Sequence, residues 1–384
     1  MEAEIPFDEL IVDRMDVFDD GAKALFTFKL NGKRIFVSIF AKPYGENDDD
    51  EEETVEDRLI ELLTDASDDD LDFCEDEDIE FYEKSVDEAA HIVMDIGRIP
   101  FSQVAPPLIR HDYEEPKDLH HAMFPETFDF RLETIHDTAF MYPITPGEAA
   151  KPRDDGGPDP NLNIDFLPDP KTPRYSTKDI IVEKEYKYGL WVREVRVGSE
   201  TMVCKAFPRG LEYEYLAPEL KMLQMIEKVN TALKTPLRVP LLKGYVVHPV
   251  TEAILGLLRT RIPPSQYGNS ISDAGKHMSK IPVDIRRRWL QQITETVNAL
   301  HKVGLVWGDA KPGNVCINPD NNAWLIDFGG GWTQRWADKG IAGTVEGDKH
   351  ALTKIKAFLL FKCPEMTQEQ IKELFYGVFM SSSE

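Results

Sequence analysis

Cysteine is scarce. The 384 residues hold four, Cys74, Cys204, Cys316 and Cys363, far apart, with no C-x-x-C pair and no Cys/His cluster. That leaves no support for a structural zinc site and predicts reduced thiols in an intracellular protein, cytoplasmic or nuclear. Long apolar runs are missing too. None approaches the ~18–20 residues that a bilayer crossing needs, so no membrane role is expected. The opening MEAEIPFDELIVD has neither the basic nor the apolar region of a secretory signal. Positive charge is short: 44 Lys and Arg face 69 Asp and Glu, a net charge of −25. Phosphate backbones repel such a chain, so no nucleic-acid partner is expected. The one short basic run, Arg286-Arg287-Arg288, reads as a helix flank.

What is present divides into three parts. Residues 1–140 read as a small α+β domain with acidic loops. Its clearest signal is ALFTFKL, then Asn31-Gly32, then KRIFVSIF, where apolar residues alternate on both sides of a pair suited to a type I′ hairpin turn. Leu59, Ile60, Leu62 and Leu63 mark a short amphipathic helix. Ser85-Val-Asp-Glu88 reads as a capping box that starts a second helix. The acidic runs NDDDEEETVED and DASDDDLDFCEDEDIE read as solvated loops, or as a surface for a basic protein partner. Residues 141–177 are dense in Pro and Gly and read as a linker, or as an extended segment laid over a neighbouring domain.

From residue 178 the pattern changes. KDIIVEKEYKYG, LWVREVRVG and ETMVCKAF read as successive strands, Pro218–Ile226 as a helix, and VPLLKGYVV and EAILGLL as two more strands. Leu290, Ile293, Val297 and Leu300 mark an amphipathic helix over Asp284–Lys302. Further helices are expected over Asp348–Leu360 and Thr367–Tyr376. Between them lies GLVWGDAKPGNVCINPDNNAWLIDFGGG, in which short strands hold Asp309, Lys311, Asn314 and Asp327 at fixed separations. The remaining polar residues, Asn318, Asp320, Asn321 and Asn322, read as a turn between two strands.

Asp309-Ala-Lys311-Pro-Gly-Asn314 and Asp327-Phe328-Gly329 resemble the catalytic loop and metal motif of the protein-kinase superfamily. The separations of 5 and 13 residues agree with that family. Val203-Cys204-Lys205 resembles its phosphate-binding strand, and Glu219, 14 residues on at a helix start, its ion-pair partner. The resemblance implies a two-lobed α+β domain over 178–384, with an N-lobe of about 178–260 and a reduced C-lobe of about 261–384. It implies ATP and Mg²⁺ as cofactors, with Asp327 and Asn314 on the metal. Asp309 would orient or deprotonate a hydroxyl, Lys311 would stabilise the transferred phosphoryl group, and Lys205 would hold the other phosphates. Phe328, Gly329 and Asp348 would serve as structural support.

Four departures accompany it. The glycine-rich loop is reduced to Gly189 in EKEYKYG, which weakens close approach of backbone to phosphate. Trp307-Gly308-Asp309 stands where the family has His-Arg-Asp, so the Arg that senses a phosphorylated activation loop is missing. Asp348 follows Asp327 by only 21 residues, with no A-P-E motif. Little chain follows Phe379. The W-G-D-x-K-P-x-N loop is similar to that of kinase-like proteins numerous in filamentous fungi. The expected activity is transfer of a γ-phosphate to a hydroxyl, most readily Ser or Thr of a protein. The alternatives are a small hydroxylated molecule as acceptor, or a pseudokinase-type nucleotide-binding or interaction module.

Overall fold

The computed structural model describes residues 10–41, 54–65, 76–106, 117–151, 158, 165–186, 191–230, 236–275, 277–331, 333, 336–337 and 339–361. Gly189, most of the two acidic runs, Cys74, Cys363 and the helix expected over Thr367–Tyr376 lie outside them. The chain is mixed α+β and forms two compact units whose sequences interleave. One comprises Met1–Gly157 with Ile180–Leu190, the other Pro158–Asp179 with Trp191–Glu384. Among the described residues no helix is long and apolar enough to cross a membrane.

The first unit is built on a five-stranded sheet in sequence order. Its strands are β1 (Ile11–Phe18), β2 (Lys23–Leu30), β3 (Lys33–Phe40), β4 (Thr127–Ile135) and β5 (Thr138–Pro143). All neighbours are antiparallel except β3 and β4, which run parallel. The hairpin expected at Asn31-Gly32 is there: Leu30 pairs with Lys33, and Asn31 and Gly32 have φ of 50° and 77°, as a type I′ turn requires. The parallel crossover from β3 to β4 contains α1 (Val55–Asp65) and α2 (Asp76–Val104). Ala24, Phe26, Phe28 and Leu30 fall two apart on β2, so they share one face. They join Leu59, Leu63, Val93, Phe101 and Phe130 in a single buried cluster. Phe101 sits edge-on between Phe28 and Phe130, with centroid distances of 5.4 and 5.0 Å.

Two expectations need correction in this unit. Ser85 does not open a helix. It is buried inside α2, which begins nine residues earlier at Asp76. Part of the second acidic run, residues 76–80, is thus helical rather than loop. β4 and β5 also extend the sheet to Pro143, past the boundary expected at 140. A short α3 (Leu119–Met123), capped by Asp118 through its bond from His121 N at 2.9 Å, and β7 (Ile181–Glu185) complete the unit.

In the second unit, β6 (Arg174–Ser176), β8 (Val192–Val197), β9 (Glu200–Ala206), β10 (Leu242–Val247) and β11 (Ile254–Thr260) run in the order β6-β10-β11-β9-β8. The sheet carries α4 (Leu216–Asn230). On β9, Met202, Cys204 and Ala206 are buried on one face, while Val203 and Lys205 are half-buried on the other. The remainder comprises α5 (Ile271–Gly275), α6 (Val283–Lys302), the hairpin β12 (Val315–Ile317) and β13 (Ala323–Leu325), and α7 (Val345–Phe361). Leu305-Val306-Trp307 is loop, not strand. Each Arg of the run 286–288 is engaged within the chain: Arg286 with Ile281 O and Leu359 O, Arg287 with Asp284, Arg288 with Asn322.

Part of the expected linker is docked. Arg174–Ser176 pairs in parallel with Tyr245–Val247. Asp169 N donates to the Tyr245 hydroxyl at 2.9 Å, and Phe166 lies edge-on to the same ring. Gln224 Nε2 on α4 donates to that hydroxyl and to Leu167 O.

Two outcomes test this description. Replacing Gly32 with Val forces a β-branched residue into the left-handed region, 3.3 Å from Lys117 Nζ, and should cost about 1–2 kcal/mol in a urea titration. Burial pushes the Cys204 thiol up to about 12. At pH 8 it should therefore resist iodoacetamide until the protein unfolds. Rapid native labelling at Cys204 by peptide mass mapping would contradict its placement.

Candidate active site

Sequence-distant polar residues converge where the loop before β12 meets the segment after β13. Asp348, on the first turn of α7 and 1% exposed, accepts three hydrogen bonds. Trp307 N reaches Oδ2 at 2.8 Å and Gly308 N reaches Oδ1 at 2.9 Å. His301 Nε2, at the end of α6, lies 2.7 Å from Oδ2. One carboxylate thus clamps the loop to two helices. Trp307, fully buried, adds a second tie, its indole Nε1 donating to Ile326 O at 2.9 Å. Ile326 N in turn donates to Asn314 O at 3.0 Å. Gly308 takes φ of 93°, which suits glycine.

These ties fix the loop's polar side chains. Asn314 Nδ2 donates to Asp309 O at 2.9 Å and to Asp309 Oδ2 at 3.0 Å. Thr333 Oγ1 donates to Asp309 Oδ1 at 3.1 Å and receives Lys311 Nζ at 3.2 Å. Lys311 Nζ lies 3.6 Å from Asp309 Oδ2. Both oxygens of Asp309 are therefore oriented, and a cation stands beside them. Thr333 was not anticipated from sequence. It is a lone hydroxyl six residues past Asp327, and only its contact identifies it.

The second cluster is built from β9, α4 and the segment after β13. Lys205 Nζ, on the half-buried face of β9, is 2.9 Å from Glu219 Oε2 and in direct ion pair with Asp327 Oδ1. Glu212, upstream of α4, is instead paired with Arg209. Burial alone would lower the Lys205 pKa, but Glu219 and then Asp327 outweigh it and hold the ammonium above its ordinary value. Burial raises Glu219 more than Lys205 lowers it. At Asp327 burial raises and Lys205 lowers, and the cation wins. Asp327 also has φ of 64°, a conformation that non-glycine residues adopt at a cost. Phe328 is buried beside it. A Cβ on Gly329 would lie 2.5 Å from Tyr215 O and 3.4 Å from Glu219 Cβ, so glycine there lets this segment close on the start of α4.

The structure therefore brings together Lys205, Glu219 and Asp327 in one group and Asp309, Lys311, Asn314 and Thr333 in the other. Asp348 organises the loop from behind. The turn expected at Asn318–Asn322 is present, with Asn321 at φ of 57° and Asn321 N bonded to Asn318 O at 2.9 Å. Among the described residues no group of three or more His, Cys, Asp or Glu could hold a metal ion. The oxygens that remain, the Asp327 carboxylate and the Asn314 side-chain carbonyl, suit a hard cation such as Mg²⁺ that completes its shell with phosphate and water. Comparison of the sequence with models of known protein families finds no match, and comparison with curated proteins finds none.

Replacing Asp348 with Ala leaves the buried Trp307 N–H, the part-buried Gly308 N–H and the His301 ring without their acceptor. The expected loss is about 3 kcal/mol in a urea titration. A loss under about 1 kcal/mol would mean the loop does not depend on this clamp.

Proposed function

We propose that this chain is a protein-kinase-like phosphotransferase that moves the γ-phosphate of a Mg²⁺-bound nucleoside triphosphate, ATP in the family it resembles, to a hydroxyl. The observation that carries the reading is the pair of ion-linked groups just described, in which each residue singled out from the motifs meets a partner that suits its role. The acceptor class that fits best is Ser or Thr of a protein, with a small hydroxylated molecule as the alternative.

In this reading Asp309 receives the acceptor hydroxyl. Its carboxylate is already oriented by Asn314 and Thr333, so little reorganisation precedes proton transfer. The acceptor oxygen bonds to the γ-phosphorus, the bond from phosphorus to the β–γ bridging oxygen breaks, and the hydroxyl proton passes to Asp309. Lys311 lies where it can offset the negative charge on the transferred group. Lys205 has three donors; Glu219 and Asp327 take two, leaving one for a phosphate oxygen. Asp327 and Asn314 would hold Mg²⁺, which supplies neutralisation of the phosphate charge.

A nucleotide-binding module without transfer is the second reading. The direct Lys205–Asp327 ion pair favours it, because it occupies the carboxylate that would take the metal.

Single-turnover transfer from γ-labelled MgATP, to basic protein substrates and to small hydroxylated metabolites, separates the two. Wild type should transfer label, and Asp309→Asn should slow the step by about 10²-fold or more. Equal rates would leave a binding module. Thr333 lies only six positions past Asp327 and already bonds Asp309, which leaves little room for a phosphorylation-controlled loop. Phosphatase treatment should therefore leave the rate unchanged; a large fall would contradict this.

A further inference from the structure

Two polar ties reach α4 from opposite sides. On one side Glu219 Oε2 lies 2.9 Å from Lys205 Nζ. On the other, Gln224 Nε2 donates to the hydroxyl of Tyr245, a fully buried residue of β10, and to Leu167 O at 3.4 Å. Gln224 follows Glu219 by five positions, which places it about 140° further around the helix. Both side chains are buried. The helix otherwise buries Leu216, Ala217, Leu220, Leu223 and Ile226. Apolar burial is non-directional, whereas hydrogen bonds fix distance and angle. The rotation and slide of α4 are therefore set by these two ties.

The same hydroxyl accepts from Asp169 N at 2.9 Å. Asp169 opens a turn, its Oδ1 taking Lys171 N at 2.9 Å and its carbonyl taking Thr172 N at 3.1 Å. The chain then pairs as β6 with β10. Pro173 O receives Tyr245 N at 2.8 Å, and the Phe166 ring stands edge-on to that of Tyr245 with centroids 6.2 Å apart. A Cβ on Gly244 would lie 2.6 Å from the Tyr175 ring, so glycine there lets the segment seat on β10. One buried hydroxyl thus joins β10, the segment 165–176 and α4. The ion pair of Lys221 with Asp165, at 3.2 Å, is exposed and adds little.

We infer that Tyr245 is a positioning residue for the nucleotide site: through Gln224 its hydroxyl fastens α4, and so keeps Glu219 on Lys205. The inference rests on the nucleotide-binding reading above. Lys205 meets both Glu219 and Asp327. Without the Tyr245 hydroxyl α4 turns or slides, and Glu219 draws away from Lys205. Lys205 then pairs with Asp327 alone, and the carboxylate that would take Mg²⁺ stays occupied. Coupling of this kind is reciprocal. A bound Mg²⁺–nucleotide that engages Asp327 leaves Lys205 to Glu219, steadies α4, and so tightens the segment 165–176 on Tyr245.

The test is MgATP binding to the full chain by calorimetry, in wild type, Tyr245→Phe, Gln224→Met, Glu219→Gln and Tyr245→Phe combined with Glu219→Gln. Tyr245→Phe keeps the ring and Gln224→Met keeps an unbranched helix former, so both should fold. Each should weaken MgATP binding at least about five-fold. Once Glu219 is Gln, Tyr245→Phe should add nothing, an outcome that loss of packing alone would not give. Hydrogen exchange on wild type needs no variant: the Asp169 amide should exchange more slowly with MgATP bound. Unchanged affinity in both single variants of the Tyr245–Gln224 tie would overturn the assignment and leave the phosphotransferase reading standing. So would a full Tyr245→Phe effect in the Glu219→Gln background, or Asp169 exchange indifferent to MgATP. No MgATP binding by wild type at millimolar concentration would overturn both.

Discussion

The arrangement depends first on one buried carboxylate. Asp348 takes the backbone N–H groups of Trp307 and Gly308 and the ring of His301. It thereby locks α6, α7 and the loop between them into one frame. The loop has little regular structure of its own, so its position leans on this clamp. Charge-assisted bonds from backbone donors are the stronger kind, and burial keeps water from competing for them. Trp307 then adds what the frame lacks, a tie to Ile326 O next to Asp327. Where the motif it resembles has His-Arg, this chain has a buried indole and a left-handed glycine. The loop is thus held from behind by packing and backbone bonds.

A second constraint is charge balance. Lys205 and Lys311 face Glu219, Asp309 and Asp327 in a largely buried setting. Lys205 is held by two carboxylates, and Lys311 meets both Asp309 and Thr333. A polyanionic ligand would redistribute these pairs. The Asp327 backbone at positive φ and the close approach of Gly329 to Tyr215 bring the Lys205–Glu219–Asp327 group to the start of α4. On the far side of α4, Gln224 bonds the Tyr245 hydroxyl that also receives Asp169 N, so the docked segment 165–176 and the ion-pair helix share one anchor.

How much of this could be read from the sequence varied with how local the information was. The Asn31-Gly32 hairpin, α1, α6 and the β12–β13 turn were legible because period and turn chemistry lie within a dozen residues. The polar site was legible because its spacings are short and its residue types are restrictive. Ser85 misled because a capping-box pattern inside a long helix looks like one at a start. β4 escaped because its partner is β3, far back in the chain, and because Asp129 and Phe130 are both buried, which blurs alternation. The docking of 165–176 depends on one tyrosine hydroxyl and one parallel strand pair, neither of which has a signature in a Pro-rich stretch. Thr333 carries no motif, and only its contacts reveal it.

The most direct test of the account is magnesium-dependent nucleotide binding by the full chain, measured by titration calorimetry with and without chelator, in wild type and in Asp327→Asn. The account predicts binding that strengthens with Mg²⁺ in wild type and a Mg²⁺ effect that is lost when Asp327 is neutralised. Binding that is absent at millimolar nucleotide, or that is indifferent to both Mg²⁺ and Asp327, would contradict it.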